Sequence, residues 1–313
     1  MIKKVILIIG AGSWGTALGV LASGLKHKVF LMAKNQEVAN ILNAEHISPY
    51  LENVILDANI NAVCEYPNNI DLIIFAVPSE YLPEAFDKAA KRYGSDIDMI
   101  IATKGMMPEG MLFSDYFASK YKIDPIFLSG PTFAGEVAAG LPSACNIAAT
   151  TVSKANEIAS YLEGENFKIQ TTKDIVSLQI AGCYKNIIAI YLGYISEMSA
   201  GENYKAKIFT ESLSELVRIC EKFGGTSETI YSYAGIGDMI LTSYSILSRN
   251  FRFGAMLAQY QKNNINIKDI NIGTIEGIFA AKSLSKLCRP FLNELEILSL
   301  VTRLIEDYEI SKL

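Results

Sequence analysis

The sequence predicts an α/β protein, in which an N-terminal doubly wound parallel sheet is followed by an all-α C-terminal domain. A chain of 313 residues exceeds the usual size of a single hydrophobic core, so two domains are expected. Apolar, β-branched runs alternate with helical segments in the first half, as they do in βαβ units. Helical periodicity takes over from about Ser177. We therefore predict domains at residues 1–176 and 177–313.

The first strand leads into a glycine-rich loop. Val5–Ile9 is apolar on both faces, which is typical of a central strand in a parallel sheet. A helix is predicted over residues 16–22, and the loop between the two reads Gly10-Ala11-Gly12-Ser13-Trp14-Gly15. In a Rossmann fold the three glycines of this G-x-G-x-x-G pattern permit, in turn, a tight turn, close approach of a pyrophosphate and close helix packing. The sequence thus predicts a dinucleotide site at the start of this helix.

Later strands of the first domain also end in small or polar residues. Their carboxyl ends run into Lys34, Pro78-Ser79, Thr103-Lys104-Gly105 and Ser129–Ala134. Such ends line the crevice of a doubly wound sheet, where the dinucleotide lies. After the second strand, Lys28–Met32, there is no acid to hold a ribose hydroxyl, whereas Lys34 suits a 2′-phosphate. This favours NADPH over NADH, although a lysine at a strand end is also common on protein surfaces.

Lys185 is the leading candidate for proton transfer. It shares a helix face with Ala181 and Ala189, so its charge needs a partner or a ligand. Burial and cationic neighbours would lower the pKa of its ammonium towards the range useful for a general acid. The alternative is a lysine that reaches water or pairs with a structural carboxylate. His27 and His46 are expected at the surface, without a catalytic role.

A second polar cluster lies downstream. Asp238 follows a glycine-rich turn, and Thr242 lies one helical turn later on the same side. Ser248 is a candidate N-cap, which would place Arg249 and Asn250 in the first turn of a helix. An arginine beside free backbone N–H groups suits a phosphate or a carboxylate. The alternative is an ordinary capped helix with a solvated arginine.

The bulk composition excludes several classes of protein. The net charge of -5 and the pI of about 5.3 argue against a nucleic-acid partner and against an anionic membrane surface. Five scattered cysteines without a C-x-x-C pair suggest neither a disulfide framework nor a metal site, and they fit the reducing cytoplasm. No apolar segment is expected to reach the length that spans a membrane, so we expect no stable membrane insertion.

Taken together, these motifs resemble the bacterial NAD(P)-dependent glycerol-3-phosphate dehydrogenases, over nearly the whole chain and in the same order. The motifs that carry the resemblance are Gly10–Ala17, Val77-Pro78-Ser79, Lys104-Gly105, Ser129–Glu136, Lys185-Asn186, Gly235–Asp238, Ser248-Arg249-Asn250 and Glu276-Gly277. The resemblance implies a 6-phosphogluconate-dehydrogenase-like architecture. It also implies interconversion of dihydroxyacetone phosphate and sn-glycerol 3-phosphate, which feeds glycerophospholipid synthesis.

The resemblance also implies roles for single residues. Lys185 would be the catalytic general acid and base, with Lys104 and Asp238 orienting and polarising around it. The implied substrate contacts are Lys104, Gly130, Thr132, Lys185, Asn186, Asp238, Thr242, Ser248, Arg249 and Asn250. The implied cofactor contacts are Gly10, Gly12, Ser13, Trp14, Gly15, Lys34, Pro78, Lys104, Ala134, Arg249 and Glu276. No metal is implied, and Glu276 is also explained as a favourable partner of a helix dipole.

The sequence departs from the family pattern at three places, and two alternative functions are open. Lys34 stands where an arginine is usual, Cys183-Tyr184 replaces Ala-Leu, and Glu52-Asn53 replaces Pro-Gly. A related 3-hydroxyacid or 6-phosphogluconate-type dehydrogenase would share the architecture and a helical lysine. A dinucleotide sensor without catalysis would need only the first domain's site. The oligomeric state is not determined by the sequence, and a homodimer is one option.

Overall fold

The computed structural model describes residues 3–263 and 274–310. The chain forms two compact units. The sheet unit comprises Met1–Lys104 and Ser114–Ile175, and the helical unit comprises Gly105–Phe113 and Val176–Leu313. The break near residue 175 lies one residue from the domain boundary that the sequence suggests. No sequence pattern indicated that Gly105–Phe113 packs with the helices.

The sheet unit is built on an eight-stranded sheet whose strand order is β10-β9-β8-β7-β6-β1-β2-β5. Its strands are β1 (Val5–Ile9), β2 (Lys28–Met32), β5 (Ile60–Val63), β6 (Leu72–Phe75), β7 (Asp98–Ile101), β8 (Ile126–Ser129), β9 (Ser143–Ala148) and β10 (Phe167–Thr172). The six strands from β8 to β5 in this order run parallel, as in a doubly wound sheet. Within this sheet the β8–β9 pairing is antiparallel. The predicted α/β fold class is therefore confirmed.

Helices cover the faces of this sheet. They are α1 (Ser13–Gly24), α2 (Gln36–Glu45), α3 (Leu82–Tyr93), α4 (Phe113–Tyr121), α5 (Ala134–Ala138) and α6 (Val152–Leu162). A small antiparallel pair, β3 (Ile47–Ser48) and β4 (Leu51–Ile55), follows α2. Local chemistry sets the ends of α2, because the Asn35 side chain accepts a hydrogen bond from Val38 N at its start and His46 adopts a left-handed conformation at its end.

The helical unit is organised around α7 (Ile175–Glu197), most of whose residues are buried. Its other helices are α8 (Glu202–Lys222), α9 (Ser227–Ile230), α10 (Asp238–Ser243), α11 (Arg249–Asn263), α12 (Glu276–Leu287) and α13 (Glu296–Ile310). By length and composition α7 could cross a membrane, which corrects the expectation that no segment is long enough. However, 89% of its apolar window is buried inside the protein, as in the core helix of a soluble protein.

The expectation of a surface position was wrong for His27, which is buried at the start of β2. Its Nδ1 accepts a hydrogen bond from Lys4 N at 3.0 Å, so the ring is protonated at Nε2, which donates to the Tyr161 carbonyl at 2.7 Å. His27 thus joins the beginning of the chain to the end of α6, a structural role. His46 is half-buried at the end of α2.

Candidate functional site

The glycine loop between β1 and α1 has the geometry that its pattern predicts. Gly10 has a φ of +113°, and a Cβ there would lie 2.7 Å from the Ala76 carbonyl oxygen. A Cβ at Gly15 would lie 1.8 Å from the Gly10 carbonyl oxygen. Around Gly12, by contrast, the described part of the chain leaves the space within 4 Å of a Cβ open. Two glycines are therefore required by packing, and the third leaves room for a phosphate at the start of α1.

A cavity of about 580 Å³ adjoins this loop. Its lining residues are Ile9, Gly10, Ala11, Gly12, Met32, Ala33, Lys34, Val38, Tyr50, Tyr66, Ala76, Val77, Pro78, Tyr81, Glu84, Ala85 and Lys88. An apolar wall with a few charged groups at a doubly wound switch point fits the adenosine half of a dinucleotide. The strand-end residues Lys34 and Pro78 were predicted from the sequence. The three tyrosines and Lys88 were not, because they come from a turn, a loop and a helix face that carry no motif.

Ser13 and Trp14 hold the loop in place. The Ser13 hydroxyl donates a hydrogen bond to the Tyr50 carbonyl at 2.6 Å, and the Trp14 indole N–H donates to the Ala102 carbonyl at 3.3 Å. These bonds join the start of α1 to the β3–β4 turn and to the end of β7. Both side chains were predicted as cofactor contacts, which stays a prediction.

Lys104, Gly130 and Thr132 meet at the ends of β7 and β8. The Gly130 carbonyl accepts hydrogen bonds from Lys104 Nζ at 3.0 Å and from the Thr132 hydroxyl at 3.1 Å. A Cβ at Gly130 would lie 2.5 Å from Cys145 Cα, so only glycine fits beside β9. Ala134, which begins α5, follows two residues after Thr132. The sheet unit thus brings the predicted residues together and places a cation among them.

In the helical unit, Lys185 lies in the middle of α7 and is paired. Its Nζ donates to Asp238 Oδ1 at 2.7 Å and to the Thr242 hydroxyl at 3.1 Å. The Lys185 side chain is 9% exposed and that of Asp238 is 1% exposed. Thr242 also donates to Asp238 at 3.3 Å, which confirms that the two share one side of α10. The buried cation predicted from the apolar helix face therefore has a carboxylate and a hydroxyl as partners.

A turn of π-helix, Tyr233–Gly237, delivers Asp238 to this position. It is tightly packed, since a Cβ at Gly235 would lie 2.0 Å from the Ile230 carbonyl oxygen. Turns of π-helix occur frequently at functional sites. The sequence indicated a glycine-rich turn here but not its helical form.

Asn186 and Asn250 form a buried amide pair. Asn250 Nδ2 donates to Asn186 Oδ1 at 2.8 Å, and Asn250 Oδ1 accepts from Gly277 N at 3.0 Å. Gly277 is the second residue of α12, after Glu276, and no side chain of the preceding residue caps that helix. Asn250 thus supplies a cap from α11 and ties the position of Glu276 to α7.

Ser248 caps α11 as the sequence predicts. Its hydroxyl accepts a hydrogen bond from Phe251 N at 3.2 Å, and its carbonyl accepts from Arg252 N at 3.0 Å. Arg249 and Asn250 therefore occupy the first turn, and Arg249 is exposed. The helix N-terminus and the guanidinium together suit an anionic group.

One buried network beside Lys185 was missed by sequence analysis. The hydroxyl of Tyr184, which is fully buried on α7, donates to Glu215 Oε1 at 2.8 Å. The Glu215 carboxylate also accepts from Ile297 N and Leu298 N, at 3.0 and 2.9 Å, and so caps α13. Burial raises the pKa of the Tyr184 hydroxyl and, against these hydrogen bonds, the pKa of Glu215. The departure from the family pattern at Tyr184 thus has a hydrogen-bonding partner on α8.

The neighbouring Cys183 is buried as well. Burial, assisted by the charge of Glu276, raises the pKa of its thiol to about 12, so it is not a nucleophile at neutral pH. The five cysteines are all free thiols. Within residues 3–263 and 274–310, no group of three or more His, Cys, Asp or Glu side chains is placed to hold a metal ion.

Comparison with known proteins covers both units. The family models described as the N-terminus and the C-terminus of NAD-dependent glycerol-3-phosphate dehydrogenase match residues 5–155 and 174–312. The glycerol-3-phosphate dehydrogenase (NAD(P)+) of Orientia tsutsugamushi strain Boryong is 36% identical over 90% of this chain and 87% of its own length. That of Halalkalibacterium halodurans is 30% identical over 95% and 88%. The crystal structure of glycerol-3-phosphate dehydrogenase from Coxiella burnetii superposes with a TM-score of 0.89 at 28% identity, over 99% of this chain and 98% of that one.

Proposed function

The chain belongs to the NAD-dependent glycerol-3-phosphate dehydrogenase family, and from this premise we propose that Lys185 is the proton donor in the reversible reduction of dihydroxyacetone phosphate to sn-glycerol 3-phosphate. The paired, buried position of Lys185 carries this proposal. A reduced nicotinamide dinucleotide, when bound, supplies the hydride. Lys185 gives its proton to the carbonyl oxygen as negative charge develops there, and it takes the proton back in the reverse direction.

Asp238 and Thr242 position this ammonium. The ammonium donates one hydrogen bond to each of these residues. The two bonds orient the side chain and stabilise its positive charge, which lies away from bulk water. A lysine held in this way supplies both an electrostatic partner for the developing oxyanion and a transferable proton. Arginine would supply only the first, because its guanidinium stays protonated.

The substrate phosphate is assigned to the first turn of α11. Arg249 supplies a cation there, and the first backbone N–H groups of a helix point along its axis, where they can bind an anion. Asn186 and Asn250 act in support, since their amides hold the starts of α11 and α12 beside Lys185. Lys104, Gly130 and Thr132 are proposed as the substrate contacts of the sheet unit, and Ala134, Arg249 and Glu276 as further cofactor contacts.

For the cofactor we favour NADPH. Lys34 is exposed at the end of β2 and lines the dinucleotide cavity, and its Nζ lies 5.9 Å from the Tyr50 ring centroid. Residues 33–35, which directly follow β2, include no carboxylate to select a free ribose hydroxyl. We also place the enzyme in the cytoplasm, where its free thiols are stable, and propose a role in glycerophospholipid synthesis. A homodimer is the oligomeric state to test, by light scattering of the purified chain.

The first experiment measures the oxidation of NADPH and NADH by the purified chain with dihydroxyacetone phosphate. Turnover with a higher kcat/KM for NADPH is expected. The matched variant is Lys185→Arg, which keeps the cation and its pairing to Asp238 but holds its proton too tightly to transfer it. It should lose at least about 100-fold in kcat while binding the cofactor as tightly as the wild type.

Arg249→Ala tests the phosphate assignment. With NADPH saturating, so that the proposed contact of Arg249 with the cofactor does not limit turnover, we expect a large loss of kcat/KM with dihydroxyacetone phosphate and little change with unphosphorylated dihydroxyacetone, because only the first substrate carries the contacted group. An equal loss with both substrates would refute this assignment.

Two outcomes of the first experiment would contradict the proposed reaction. No turnover of dihydroxyacetone phosphate by a chain that binds NADPH would favour a 3-hydroxyacid or 6-phosphogluconate-type reaction instead. If Lys185→Arg had no effect on turnover, the proton-donor role would be wrong.

A further inference from the structure

The dinucleotide cavity contains a second cation besides Lys34. Lys88 lies on α3, and it lines the cavity together with Tyr81, Glu84 and Ala85. These positions are separated by three, four and seven residues, so they form one face of the helix. Among the described residues that line the cavity, Lys34 and Lys88 are the cations and Glu84 is the carboxylate.

Glu84 holds Lys88 at this face. Lys88 Nζ lies 2.6 Å from Glu84 Oε1, in an i,i+4 pair whose side chains are 58% and 69% exposed. An exposed pair of this kind is weak, and its lysine exchanges readily to a stronger anion. Glu84 is also close enough to raise the pKa of the Tyr66 hydroxyl, after the larger effect of burial. The Glu84 carboxylate therefore exerts its negative charge on the wall of the cavity.

We propose that Lys88 is a specificity-determining residue which, with Lys34, binds the 2′-phosphate of NADPH, and that Glu84 opposes this binding. The inference rests on the proposed NADPH preference. A single lysine is a poor substitute for the forked guanidinium that suits a phosphate, because it offers one point charge. Lys34, just after β2, and Lys88, on α3, would together supply the charge for a phosphate that carries nearly two negative charges at neutral pH.

The same helix provides a matched control. Lys91 is three residues further along α3 and forms an i,i+4 pair with Asp87 at 2.7 Å, but it does not line the cavity. Its side chain is 73% exposed. Lys88→Met and Lys91→Met therefore remove the same charge and the same kind of ion pair from one helix, and they differ in their position relative to the cavity.

The test is calorimetric titration of the full chain with 2′,5′-ADP and with 5′-ADP, which requires no turnover. Wild type should bind 2′,5′-ADP more tightly. Lys88→Met should weaken 2′,5′-ADP by about fivefold and leave 5′-ADP unchanged, as expected for one partly exposed charge contact. Lys91→Met should change neither. Glu84→Gln should strengthen 2′,5′-ADP, and adding Lys88→Met to it should remove that gain, which separates loss of the cation from exposure of the carboxylate.

The outcomes separate the two proposals. If wild type prefers 2′,5′-ADP and Lys34→Met abolishes the preference while Lys88→Met does not alter it, the NADPH assignment stands and the role of Lys88 is wrong. Equal weakening of both nucleotides by Lys88→Met would also overturn that role, because it would place Lys88 at the base or the pyrophosphate. If wild type does not discriminate between the nucleotides, the NADPH preference and this inference fail together.

Discussion

At the scale of single residues, the charge of Lys185 in the apolar face of α7 is stabilised by an ion pair with Asp238. Lys185 Nζ lies 2.7 Å from Asp238 Oδ1, and at most 9% of either side chain is exposed. Such a pair is a weak source of stability as a whole, but removal of one partner is costly because the other charge stays buried. Stability and catalysis can therefore be separated by changing the partners one at a time.

Lys185→Met should lower the free energy of unfolding of the helical unit by about 3 kcal/mol, since the Asp238 carboxylate loses its cation. The double variant Lys185→Met/Asp238→Asn should recover most of that loss, because no uncompensated charge remains. Both variants should be inactive. Urea unfolding followed by helical circular dichroism measures the difference. A double variant no more stable than Lys185→Met would show that the pair does not dominate the energetics.

At the scale of secondary-structure elements, α7 and α11 are in contact through their backbones. A Cβ at Gly193 would lie 2.0 Å from the Phe251 carbonyl oxygen, and one at Gly254 would lie 1.8 Å from the Ile190 carbonyl oxygen. The two glycines thus allow the helices to approach closely from both sides. This close approach keeps the first turn of α11 next to Asn186 on α7. Asn250 Nδ2, in that turn, donates a hydrogen bond to Asn186 Oδ1 at 2.8 Å.

Gly254→Ala should push these helices apart. We expect the chain to lose about 1–3 kcal/mol of stability and to show a higher KM for dihydroxyacetone phosphate, with a smaller change in the KM for the cofactor. The control is Gly24→Ala, at the end of α1, where no atom of the described residues outside the local backbone lies within 4 Å of the added Cβ. That change should be neutral or slightly stabilising. Equal effects of the two variants on the substrate KM would contradict the proposed role of the helix crossing.

The burial of the Glu215 carboxyl at the start of α13 predicts a dependence of stability on pH. Burial raises the pKa of this carboxyl above its ordinary value of 4.5 in the folded chain. From about pH 4.5 up to the raised pKa, the folded chain therefore binds more protons than the unfolded chain, so the contribution of Glu215 to the free energy of unfolding falls as the pH rises.

Glu215→Gln removes this titration. The stability of wild type relative to the variant should thus be greatest near pH 4.5 and should decrease as the pH rises through the folded-state pKa. Urea unfolding of both proteins at several pH values between about 4.5 and 8 gives this difference, in which the titration of other groups cancels. A difference that grows with pH would mean that the carboxyl is stabilised in its ionised form and that its pKa is lowered.

At the scale of the whole molecule, the sequence predicts what is local. The bounds of β1 and β2, the glycine loop, the apolar face around Lys185 and the cap at Ser248 all follow from spacings of a few residues. Long-range pairing is harder to predict. His27 is hydrogen-bonded to the Tyr161 carbonyl, 134 residues away, and no periodic pattern in the sequence indicates that contact. The same limit applies to Tyr184 with Glu215 and to the cavity lining from α3.

The segment Gly105–Phe113 gives the clearest case, because it leaves the sheet unit to pack with helices that are remote in sequence. Met106 and Leu112 join the core of the helical unit, and Lys286 Nζ donates to the Pro108 carbonyl at 2.8 Å. A Cβ at Gly110 would lie 2.6 Å from Leu287 N, so the segment lies directly against the end of α12. It is therefore an integral part of the helical core.

Met106→Ala should accordingly loosen the helical unit and leave the sheet unit intact. The matched control is Met99→Ala, seven residues earlier on β7, since the two methionines are 4% and 2% exposed and lose the same atoms. Each change should cost about 2–5 kcal/mol, because it leaves a cavity in a core. Amide hydrogen exchange then shows which of the two units has lost stability. Met106→Ala should accelerate exchange in α7 and α12, and Met99→Ala should accelerate it in β6 and β7. If both variants loosened the same strands, the segment would belong energetically to the sheet unit, and the division of the chain at residues 105–113 would be wrong.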